Sequence, residues 1–523
     1  MAVFAELSRQ GKQMAAHRPC PRILVEEEAW RAAAAVLAEG KLTLLGLWGD
    51  GQAVHMALLE DGPDEDPGKF SSTRCETLVL TLACPLGSFP SVGAVHAPAI
   101  RLERAIRDLF ALIPRGLPDE RPWLDHGRWR LEHPLSSTPG ERLKPAPVAY
   151  PFLPAEGEGL HQIPVGPVHA GIIEPGHFRF NASGETVVRL EERLGYTHKG
   201  IESLMAGASL ETAACLAGRV SGDSTVAYSL AFAQAVEAAL DLSVPPRAVY
   251  LRALMAELER LANHLGDIGA ICNDAAFAMM LAQCGVLRER VLRAAHEVFG
   301  HRLMMDRILP GGVTVDLTPA GATRIRELLA SIRAVFPALA DLYDKTASLQ
   351  DRTSGTGIVA PALACRFGAG GYIGRASGRS FDTRRHLAYP PYDTLAFEVP
   401  TFFEGDVNAR IWVRIREAEQ SLSLIEQSLD NLPRDNLARD DRLQVSVTDI
   451  GETREGLALV EGFRGDILVS VRIDAGGRIE RCHLRDPSWF QWPLLEVAIE
   501  GNIVADFPLC NKSFNCSYSG PDM

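Results

Sequence analysis

Four long segments of this chain carry apolar residues at the spacing of an amphipathic helix. They are residues 247–264, 275–302, 320–346 and 407–432, in which Leu, Ile, Ala and Val recur at helical intervals. This periodicity places the apolar side chains on one face of each helix, and that face must be buried against another element. The pattern therefore predicts a bundle of long helices as the main core of the protein.

Shorter segments with strand patterns accompany the bundle, so the predicted fold class is α+β. Residues 42–48 and 53–59 flank a Gly-Asp-Gly turn, which is a good hairpin signal, and 77–82 predicts a third strand. Helical spacing is found over 23–38 and 101–110. These elements predict a small α/β domain ahead of the bundle.

A proline-rich stretch separates this first region from the bundle. Six prolines lie within 134–154, and such a run neither continues a helix nor donates hydrogen bonds to a central strand. We therefore predict a domain over 1–133, a linker over 134–154, and a mainly helical domain with peripheral strands over 155–523. The peripheral strands include 442–482, where apolar and polar residues alternate.

Charge and composition exclude several classes of partner and site. The net charge of −13 argues against nucleic acid or an anionic lipid surface as the direct partner. No window approaches the roughly 18 consecutive apolar residues of a membrane span, and residues 1–22 lack the apolar region of a signal peptide. We expect a cytoplasmic protein that reaches a membrane only through other subunits.

The cysteines do not predict a metal site. Ten cysteines are spread along the chain, and no two have the C-x-x-C spacing that zinc, iron–sulfur and thioredoxin-type sites usually use. We expect reduced and mostly buried thiols.

A polar stretch at 219–225 lies directly before an Ala-rich apolar helix. Its run Ser221-Gly222-Asp223-Ser224-Thr225 favours helix capping over a helix interior. A buried helix N-terminus gathers backbone donors and polar side chains at one point, as a functional site requires.

A second polar group lies on the loop between two strand-like pieces at 166–180. The loop carries His169, Glu174 and His177, which are titratable side chains that flanking strands would hold in place. They are candidates for a proton relay. The alternative is a set of polar groups satisfied within the turn, and for each residue taken singly that alternative is preferred.

Two further patterns are polar but less specific. Glu257, Arg260, His264 and Asp267 share one helix face, and a buried polar stripe must be paired, so this face meets another subunit or forms an internal network. The segment 374–384 is Gly-rich and holds three arginines, but it lacks the pattern of a phosphate-binding P-loop.

The helix-capping stretch and the last residues of the chain resemble two motifs of nickel–iron hydrogenase large subunits. There, R-V-C-G-x-C-x-x-x-H and a C-terminal D-P-C-x-x-C supply four cysteines to the metals. Here Ser221 and Ser224 stand at the first cysteine pair, Tyr228 at the histidine, and Ser517 and Gly520 at the last pair. Because nickel in such sites needs soft thiolates, the resemblance implies a branch that has lost its nickel–iron ligands.

Other blocks resemble the 49-kDa (D-type) subunit of complex I and related hydrogenases, in the same order. They are G-P-x-H with E-P at 166–175, E-L-x-R-x-x-N-H-L at 257–265, R-A-S-G-x-x-x-D-x-R at 375–384, and V-E-G-x-R-G at 460–465. In complex I a second histidine of the first block contacts quinone, and here that position is Ile173.

The helix at 101–110 resembles the 30-kDa (C-type) subunit, whose pattern is E-R-E-x-x-D-x-F. Glu103, Arg104, Asp108 and Phe110 match it, and Ala105 departs from it. Taken alone, these charges favour a solvated helix face with ordinary ion pairs.

The chain thus resembles a fused C- and D-type large subunit of the hydrogenase-4 and formate-hydrogenlyase type. The resemblance implies an NADH–quinone-oxidoreductase-like complex on the inner face of the cytoplasmic membrane. Electrons would pass from an iron–sulfur small subunit to a quinone-like acceptor, coupled to ion movement through antiporter-like membrane subunits. This chain itself would hold no metal cofactor.

The same resemblance assigns roles to seven residues. Those implied to handle protons and the acceptor are Asp223, Tyr228, His169 and Glu174. Those implied to face the cavity and the iron–sulfur subunit, as cofactor-binding residues, are Arg375, Asp382 and Arg384. An arginine beside a cluster raises its potential through charge and hydrogen bonds.

Two other functions stay open at this point. A catalytically silent scaffold subunit fits the loss of the cysteines equally well, because the surrounding motifs are intact. A working nickel–iron hydrogenase is disfavoured by the missing thiolates.

Overall fold

The computed structural model describes residues 2–60, 75–168, 173–433, 443–447 and 450–522. The strands in chain order are β1 Gly11–Gln13, β2 His17–Arg18, β3 Arg22–Val25, β4 Thr43–Asp50, β5 Ala53–Glu60, β6 Glu76–Ala83, β7 Ser88–Pro90, β8 Ile113–Arg115, β9 Leu131–Glu132, β10 Gly140–Glu141, β11 Leu160–Val165, β12 His177–Ser183, β13 Thr186–Arg193, β14 Ile308–Leu309, β15 Gly312–Val313, β16 Arg454–Gly462, β17 Gly465–Ile473 and β18 Ile479–Arg485.

Helices occupy much of the remaining chain. They are α1 Ala2–Arg9, α2 Glu27–Ala38, α3 Ile100–Phe110, α4 Ile201–Met205, α5 Leu210–Ala217, α6 Thr225–Leu240, α7 Pro246–Asp274, α8 Ala278–Phe299, α9 Pro319–Arg333, α10 Phe336–Lys345, α11 Ala347–Thr353, α12 Pro361–Arg366, α13 Gly371–Ala376, α14 Thr383–His386, α15 Val407–Asp430, α16 Ser488–Ala498 and α17 Phe507–Phe514. The fold is α+β, as predicted.

The first region is built on a five-stranded sheet of order β1-β3-β6-β5-β4. The predicted hairpin is confirmed as β4 and β5, which pair antiparallel with Trp48 opposite His55. The prediction of one helix over 23–38 is wrong at its start, because Ile23 to Val25 pair with β6 and the helix begins at Glu27. A short Ile-Leu-Val run fits either structure, and the neighbouring strand decides between them.

The charges of α3 do not form a solvated face. Glu103 is buried and accepts hydrogen bonds from Ser91 Oγ and Val92 N, both at 2.6 Å. Asp108 accepts from the amides of Trp123 and Leu124 at 2.7 and 2.8 Å. The charges hold the following loop against the helix, so the solvent-facing interpretation is wrong.

The main core is a bundle in which α7 packs against both α8 and α15. The predicted single helix over 320–346 is wrong, because the chain breaks between α9 and α10 at Ala334 and Val335. Pro337 lies in the first turn of α10, where its missing N–H costs nothing.

A second sheet, of order β18-β17-β16-β2, supports one side of α6. A side chain at Gly456 of β16 would clash with the carbonyl of Ala235, so glycine permits this close approach. The strand pattern predicted over 442–482 is wrong at its start, around 445–447: among 443–447 only Gln444 makes a single bridge, to Gly312, and the strands begin at Arg454.

The second sheet also receives a strand from the first region. β2 pairs in parallel with β16, with His17 opposite Glu455. The Arg22 guanidinium lies 2.7 Å from the Glu455 carboxylate, and Arg472 of β17 donates to Asp50 of β4 at 2.9 Å. No helix among the described residues is long and apolar enough to cross a membrane. The boundaries of the three predicted parts remain predictions.

Candidate functional site

The helix-capping stretch and the last described residues meet at the N-terminus of α6. Ser517 Oγ donates to Ser221 Oγ at 3.0 Å, and the amide of Gly520 donates to Ser517 Oγ at 3.0 Å. Ser221 Oγ in turn donates to Asp223 Oδ1 at 2.9 Å, and Ser224 Oγ reaches the same oxygen at 3.2 Å. The four positions aligned with hydrogenase cysteines therefore form one hydrogen-bonded cluster.

A buried arginine anchors this cluster. Arg464 donates to Asp223 Oδ1 at 2.7 Å and Oδ2 at 2.5 Å, and also to Ser224 Oγ at 3.2 Å. The Arg464 side chain is 5% exposed, whereas that of Asp223 is 35% exposed. Burial opposes ionisation of Asp223, but the Arg464 charge and hydrogen bonds outweigh it and lower the pKa of Asp223. The carboxylate is thus ionised and partly accessible.

Tyr228 forms a second, fully buried pair on the first turns of α6. Its hydroxyl donates to Asp486 Oδ2 at 2.5 Å, and Ser488 N donates to Asp486 Oδ1 at 2.7 Å. Burial and the adjacent Asp486 carboxylate raise the pKa of Tyr228 well above its usual value. Tyr228 therefore stays protonated and acts as a hydrogen-bond donor.

Asp486 also fills the space beside Gly520. A Cβ placed on Gly520 would lie 2.5 Å from Asp486 Cγ, closer than real Cβ atoms approach. The glycine at the last cysteine position is therefore packed against a carboxylate. A cysteine at this position would require Asp486 to move.

The residues at the four positions do not fit a nickel–iron centre. They offer three hydroxyls and one glycine, while nickel in such sites requires soft thiolates. Among the residues that the structure describes, no three His, Cys, Asp or Glu side chains form a group suited to a metal ion.

The loop candidates lie at the exposed edge of the cluster. Glu174 is exposed, and its Oε2 accepts from Ser519 N at 3.3 Å. His177 Nδ1 is hydrogen-bonded to Gly166 O at 3.0 Å, as expected of a polar group satisfied within the turn. His169 lies outside the described residues. Glu174 is thus brought next to the segment that carries Ser517.

Arg375, Asp382 and Arg384 occupy a separate, buried cluster. Arg375 Nε donates to Glu417 at 2.6 Å and its Nη1 to Glu461 at 2.9 Å. Arg384 donates to Asp382 Oδ2 at 2.7 Å, and its Nη1 donates to Glu257 at 2.9 Å. All three predicted residues are almost fully buried and ion-paired within this chain.

The polar face of α7 belongs to this cluster. Arg260 donates to the carbonyls of Glu461 and Gly462 at 2.6 and 2.9 Å, and His264 Nε2 lies 2.8 Å from Glu417. Asp267 pairs with Arg414 at 3.0 Å. Of the two alternatives for this face, the internal network is the one observed.

One turn joins the two clusters, and sequence reasoning missed its role. The hairpin of β16 and β17 places Glu461, near the end of β16, in the Arg375 cluster and Arg464, in the turn, on Asp223. The V-E-G-x-R-G block marked this turn, and its charged residues were the available signal. Asp486 had no signal beyond its charge, since its partners Tyr228 and Gly520 are distant in sequence.

Comparisons with known proteins define the class. The family model described as "Respiratory-chain NADH dehydrogenase, 49 Kd subunit" matches residues 267–522. Formate hydrogenlyase subunit 5 of Escherichia coli (strain K12) is 33% identical over 83% of this chain and 77% of its own length. Hydrogenase-4 component G of the same strain is 32% identical over 90% and 80%, respectively.

A fused relative and a solved structure agree with this class. The fused C/D-type subunit of NADH-quinone oxidoreductase from Bacteroides thetaiotaomicron is 28% identical over 76% of this chain and 78% of its own length. A chain of the membrane-bound sulfane sulfur reductase, an archaeal respiratory membrane complex, is 25% identical with a TM-score of 0.65. That match covers 70% of this chain and 99% of the other.

These similarities define a large subunit of complex I-like and energy-converting hydrogenase respiratory complexes. The chain belongs to the family of the 49-kDa subunit of respiratory-chain NADH dehydrogenase. The fused C/D-type relatives fit a 30-kDa-type region followed by a 49-kDa-type region. The resemblance inferred from the motifs is confirmed.

Proposed function

We propose that this chain is a redox-site subunit without a nickel–iron centre of its own. It would receive electrons from an iron–sulfur partner and bind a quinone-like acceptor beside Asp223. Reduction of such an acceptor consumes two electrons and two protons, so the site needs ionisable groups in reach of solvent. The observation that carries the proposal is the ionised, partly exposed Asp223 held by the buried Arg464.

The surrounding residues would then have distinct roles. Glu174, exposed and next to Ser519, is placed to exchange protons with solvent. The hydroxyls of Ser517 and Ser221 and the carboxylate of Asp223 form a continuous hydrogen-bonded route toward α6. Tyr228 stays protonated and orients Asp486, so its part is to position that carboxylate.

The buried Arg375 cluster would stabilise the site through the β16–β17 hairpin. It fixes Glu461 and hence the turn that carries Arg464. We propose that Arg375, Asp382 and Arg384 act through this turn and through their charge on a neighbouring iron–sulfur cluster. The partners would be an iron–sulfur small subunit and antiporter-like membrane subunits, at the inner face of the cytoplasmic membrane.

Quinone reduction by the intact complex tests the proposal. The complex is purified through a tag on this chain and supplied with reduced ferredoxin or NADH. We expect Asp223→Asn to lower turnover by about 100-fold, the usual size of a lost proton-transfer group. Tyr228→Phe should lower turnover by a smaller factor, because it removes the hydrogen bond that positions Asp486 and no proton-transfer group. Assembly and iron–sulfur content of each variant are measured alongside.

Two matched controls separate chemistry from stability. Asp316 accepts from Arg247 Nε at 2.7 Å and its side chain is 37% exposed, so Asp316→Asn removes a similar ion pair away from the site. Tyr343 is a buried tyrosine whose hydroxyl donates to Asn408 at 2.6 Å. Asp316→Asn and Tyr343→Phe should leave turnover within about twofold, since neither contacts the cluster.

A scaffold function is the second candidate, and two contacts at the site favour it. The packing of Gly520 against Asp486 and the 3.0 Å bond between Ser517 and Ser221 fill the centre of the cluster with this chain's own atoms. Two results would establish the scaffold function instead. One is a fully assembled complex that reduces no quinone, and the other is a turnover rate that Asp223→Asn leaves unchanged.

A further inference from the structure

A cavity of about 350 Å³ lies between α3, β13, α16 and the loop that follows β8. Leu190 and Phe367 form apolar parts of its wall, and the exposed side chains of Leu153 and Glu500 also line it, so the cavity opens to solvent. None of the described residues that line it belongs to the Asp223 or Arg375 clusters. A volume of this size is in the range of sites for small molecules.

The charged side chains on the wall do not balance. Four arginines and five carboxylates line the cavity, so the wall has one negative charge in excess when all of them are ionised. Asp119 pairs with Arg104 at 2.9 Å, and Glu191 pairs with Arg121. These four charges cancel, so the excess lies among the remaining groups.

The excess is located at Arg101, which faces two carboxylates. Its Nη1 donates to Glu192 Oε1, and its Nη2 lies 2.8 Å from Glu496 Oε2. Glu496 Oε1 accepts from the amide of Glu192 at 2.8 Å, so both oxygens of Glu496 have partners. The other two charged residues on the wall, Arg189 and Glu500, are one of each sign. The uncompensated carboxylate therefore belongs to the Glu192–Glu496 pair.

Two buried polar atoms of residues on this wall have no hydrogen-bond partner among the described residues. They are Oε2 of Glu192 and Nε1 of Trp123, whose side chains lie in residues that are 1% and 4% exposed. Both residues are neighbours of Arg101, since its Cζ lies 5.0 Å from the centroid of the Trp123 ring. Buried polar groups are nearly always paired, so two unpaired ones beside one cavity indicate an occupant.

The unpaired atoms and the charge determine the chemistry of that occupant. An anion would add to the excess negative charge, whereas a cation cancels it and donates to Glu192 Oε2. The indole N–H of Trp123 is only a donor, so the occupant also carries an acceptor. A metal ion does not fit, because no three His, Cys, Asp or Glu side chains in the described part of the chain form a group suited to one.

We propose that this cavity binds a small organic monocation, whose ammonium or guanidinium group pairs with Glu192 Oε2 and whose oxygen atom accepts from Trp123 Nε1–H. The apolar body of the ligand lies against Leu190 and Phe367. The proposal uses none of the residues assigned to electron or proton transfer. It is therefore tested without any measurement of quinone reduction.

Without a ligand, the carboxylate pair keeps the site neutral by holding a proton. Burial raises the pKa of Glu192 well above its usual value and Glu496 adds to this effect, although Arg101 opposes it. Cys516 and Tyr518 interact electrostatically with the same carboxyl, and both stay neutral because burial raises the pKa of each. An entering cation displaces the proton to solvent, so the net charge of the site does not change.

The first experiment measures ligand binding to the intact complex by calorimetry. Tyramine and tyrosol are the probes, since they differ only in an ammonium against a hydroxyl group, and 4-amino-1-butanol with 1,4-butanediol is a slimmer pair of the same kind. In at least one pair the amine should bind about 10-fold or more tightly than the alcohol. At about pH 6 its binding should release a proton, seen as a heat that depends on the buffer. Equal affinities within both pairs, or no binding of either amine, overturn the site.

Variants then locate the bound amine. Glu192→Gln keeps an acceptor for Arg101 but removes the excess charge, so it should weaken amine binding about 10- to 100-fold and abolish proton release. Trp123→Phe should weaken it about 2- to 10-fold. Glu455→Gln is the matched control, a strand carboxylate 2.7 Å from Arg22 and outside the cavity, and should stay within about twofold. Wild-type affinity in an assembled Glu192→Gln complex overturns the site.

A map of the wild-type complex with the bound amine needs no variant to fold. At about 2.5 Å resolution it should show isolated density within hydrogen-bond distance of Glu192 Oε2. An empty cavity overturns the proposal, and so does density that continues into a side chain of a partner subunit. If Glu192→Gln fails to assemble, this map and the comparison of amine with alcohol decide.

Discussion

For four buried carboxyls of this protein, the direction of the pKa shift follows from whether a cation faces the group. Asp223 and Glu417 face guanidinium groups, and although burial opposes it, the pKa of each is lowered. Glu103 and Glu259 are held mainly by backbone amides, and burial raises the pKa of the first to about 7 and of the second to about 8. Hydrogen bonds alone do not replace the lost hydration.

Glu103 makes a pH dependence of stability measurable. Its raised pKa means that the folded protein binds the proton more tightly than the unfolded chain. The resulting stabilisation is complete below about pH 4.5 and is lost as the pH rises through about 7. Between pH 5 and 7 the free energy of unfolding should fall by about 2 kcal/mol, because Glu103 loses its proton over this range.

Glu103→Gln should therefore flatten the dependence of the melting temperature on pH between 5 and 7. The slope is compared rather than the absolute value, because Gln alters the hydrogen bonds to Val92 and Gly93. Glu28→Gln, at an exposed position of α2, is the control and should keep the wild-type slope. Equal slopes in wild type and Glu103→Gln would contradict the assignment.

At the scale of elements, α7, α13 and α15 are held together by charges as well as by apolar contacts. Glu417 of α15 is the junction, since one oxygen accepts from Arg375 of α13 and the other contacts His264 of α7. Buried ion pairs of this kind contribute little net stability when intact. Removing one partner is costly because the other charge stays buried.

Glu417→Gln should destabilise the protein by about 3–5 kcal/mol, because it leaves the Arg375 charge without one of its carboxylates. Urea denaturation of the purified complex, followed by tryptophan fluorescence, measures the change. Glu419→Gln is the matched control on the same helix: its pair with Arg416 is 39% exposed on the Glu419 side. That variant should cost about 1 kcal/mol or less. Equal losses of unfolding free energy in the two variants would mean that breaking the buried pair costs no more than breaking the exposed one.

At the scale of the whole molecule, the segment after α17 ties distant parts of the chain together. Asp522 accepts from the amides of Gly195 at 2.8 Å and Thr197 at 3.1 Å, and from Thr197 Oγ1 at 2.8 Å. The same segment supplies Ser517 to the candidate site. The position of the site therefore depends on contacts across more than 300 residues.

Asp522→Ala should release this segment from the loop between β13 and α4. The amides of Gly195 and Thr197 lose their acceptor, so their hydrogen exchange should speed up roughly 10- to 100-fold. Asp474→Ala is the control, because Asp474 caps only the β17–β18 turn through Gly476 and Arg478. Exchange at 195–197 that is unchanged in Asp522→Ala would show that another contact holds the segment.

The sequence by itself determined three of the four long helices, the first hairpin, the order of the motifs and the family. Helical periodicity found the long helices, and the Gly-Asp-Gly turn found the β4–β5 hairpin, because both signals are local. The resemblance to hydrogenase motifs aligned Ser221, Ser224, Ser517 and Gly520 with four cysteines of one metal site, and the structure brings these four residues together.

Only the tertiary structure showed which charged side chains are buried and which atoms fill the candidate site. The charges of α3 look like a solvated face in the sequence, and those of α7 fit either a subunit contact or an internal network. Only the packing shows that both sets are buried and paired within this chain. The partners of Asp486 were likewise visible only in the structure. Asp486 contacts Gly520 and also Tyr228, which is 258 residues away in the chain. A local pattern fixes which face of an element a residue occupies, whereas its hydrogen-bond partner, and hence its charge state, depends on which distant element covers that face.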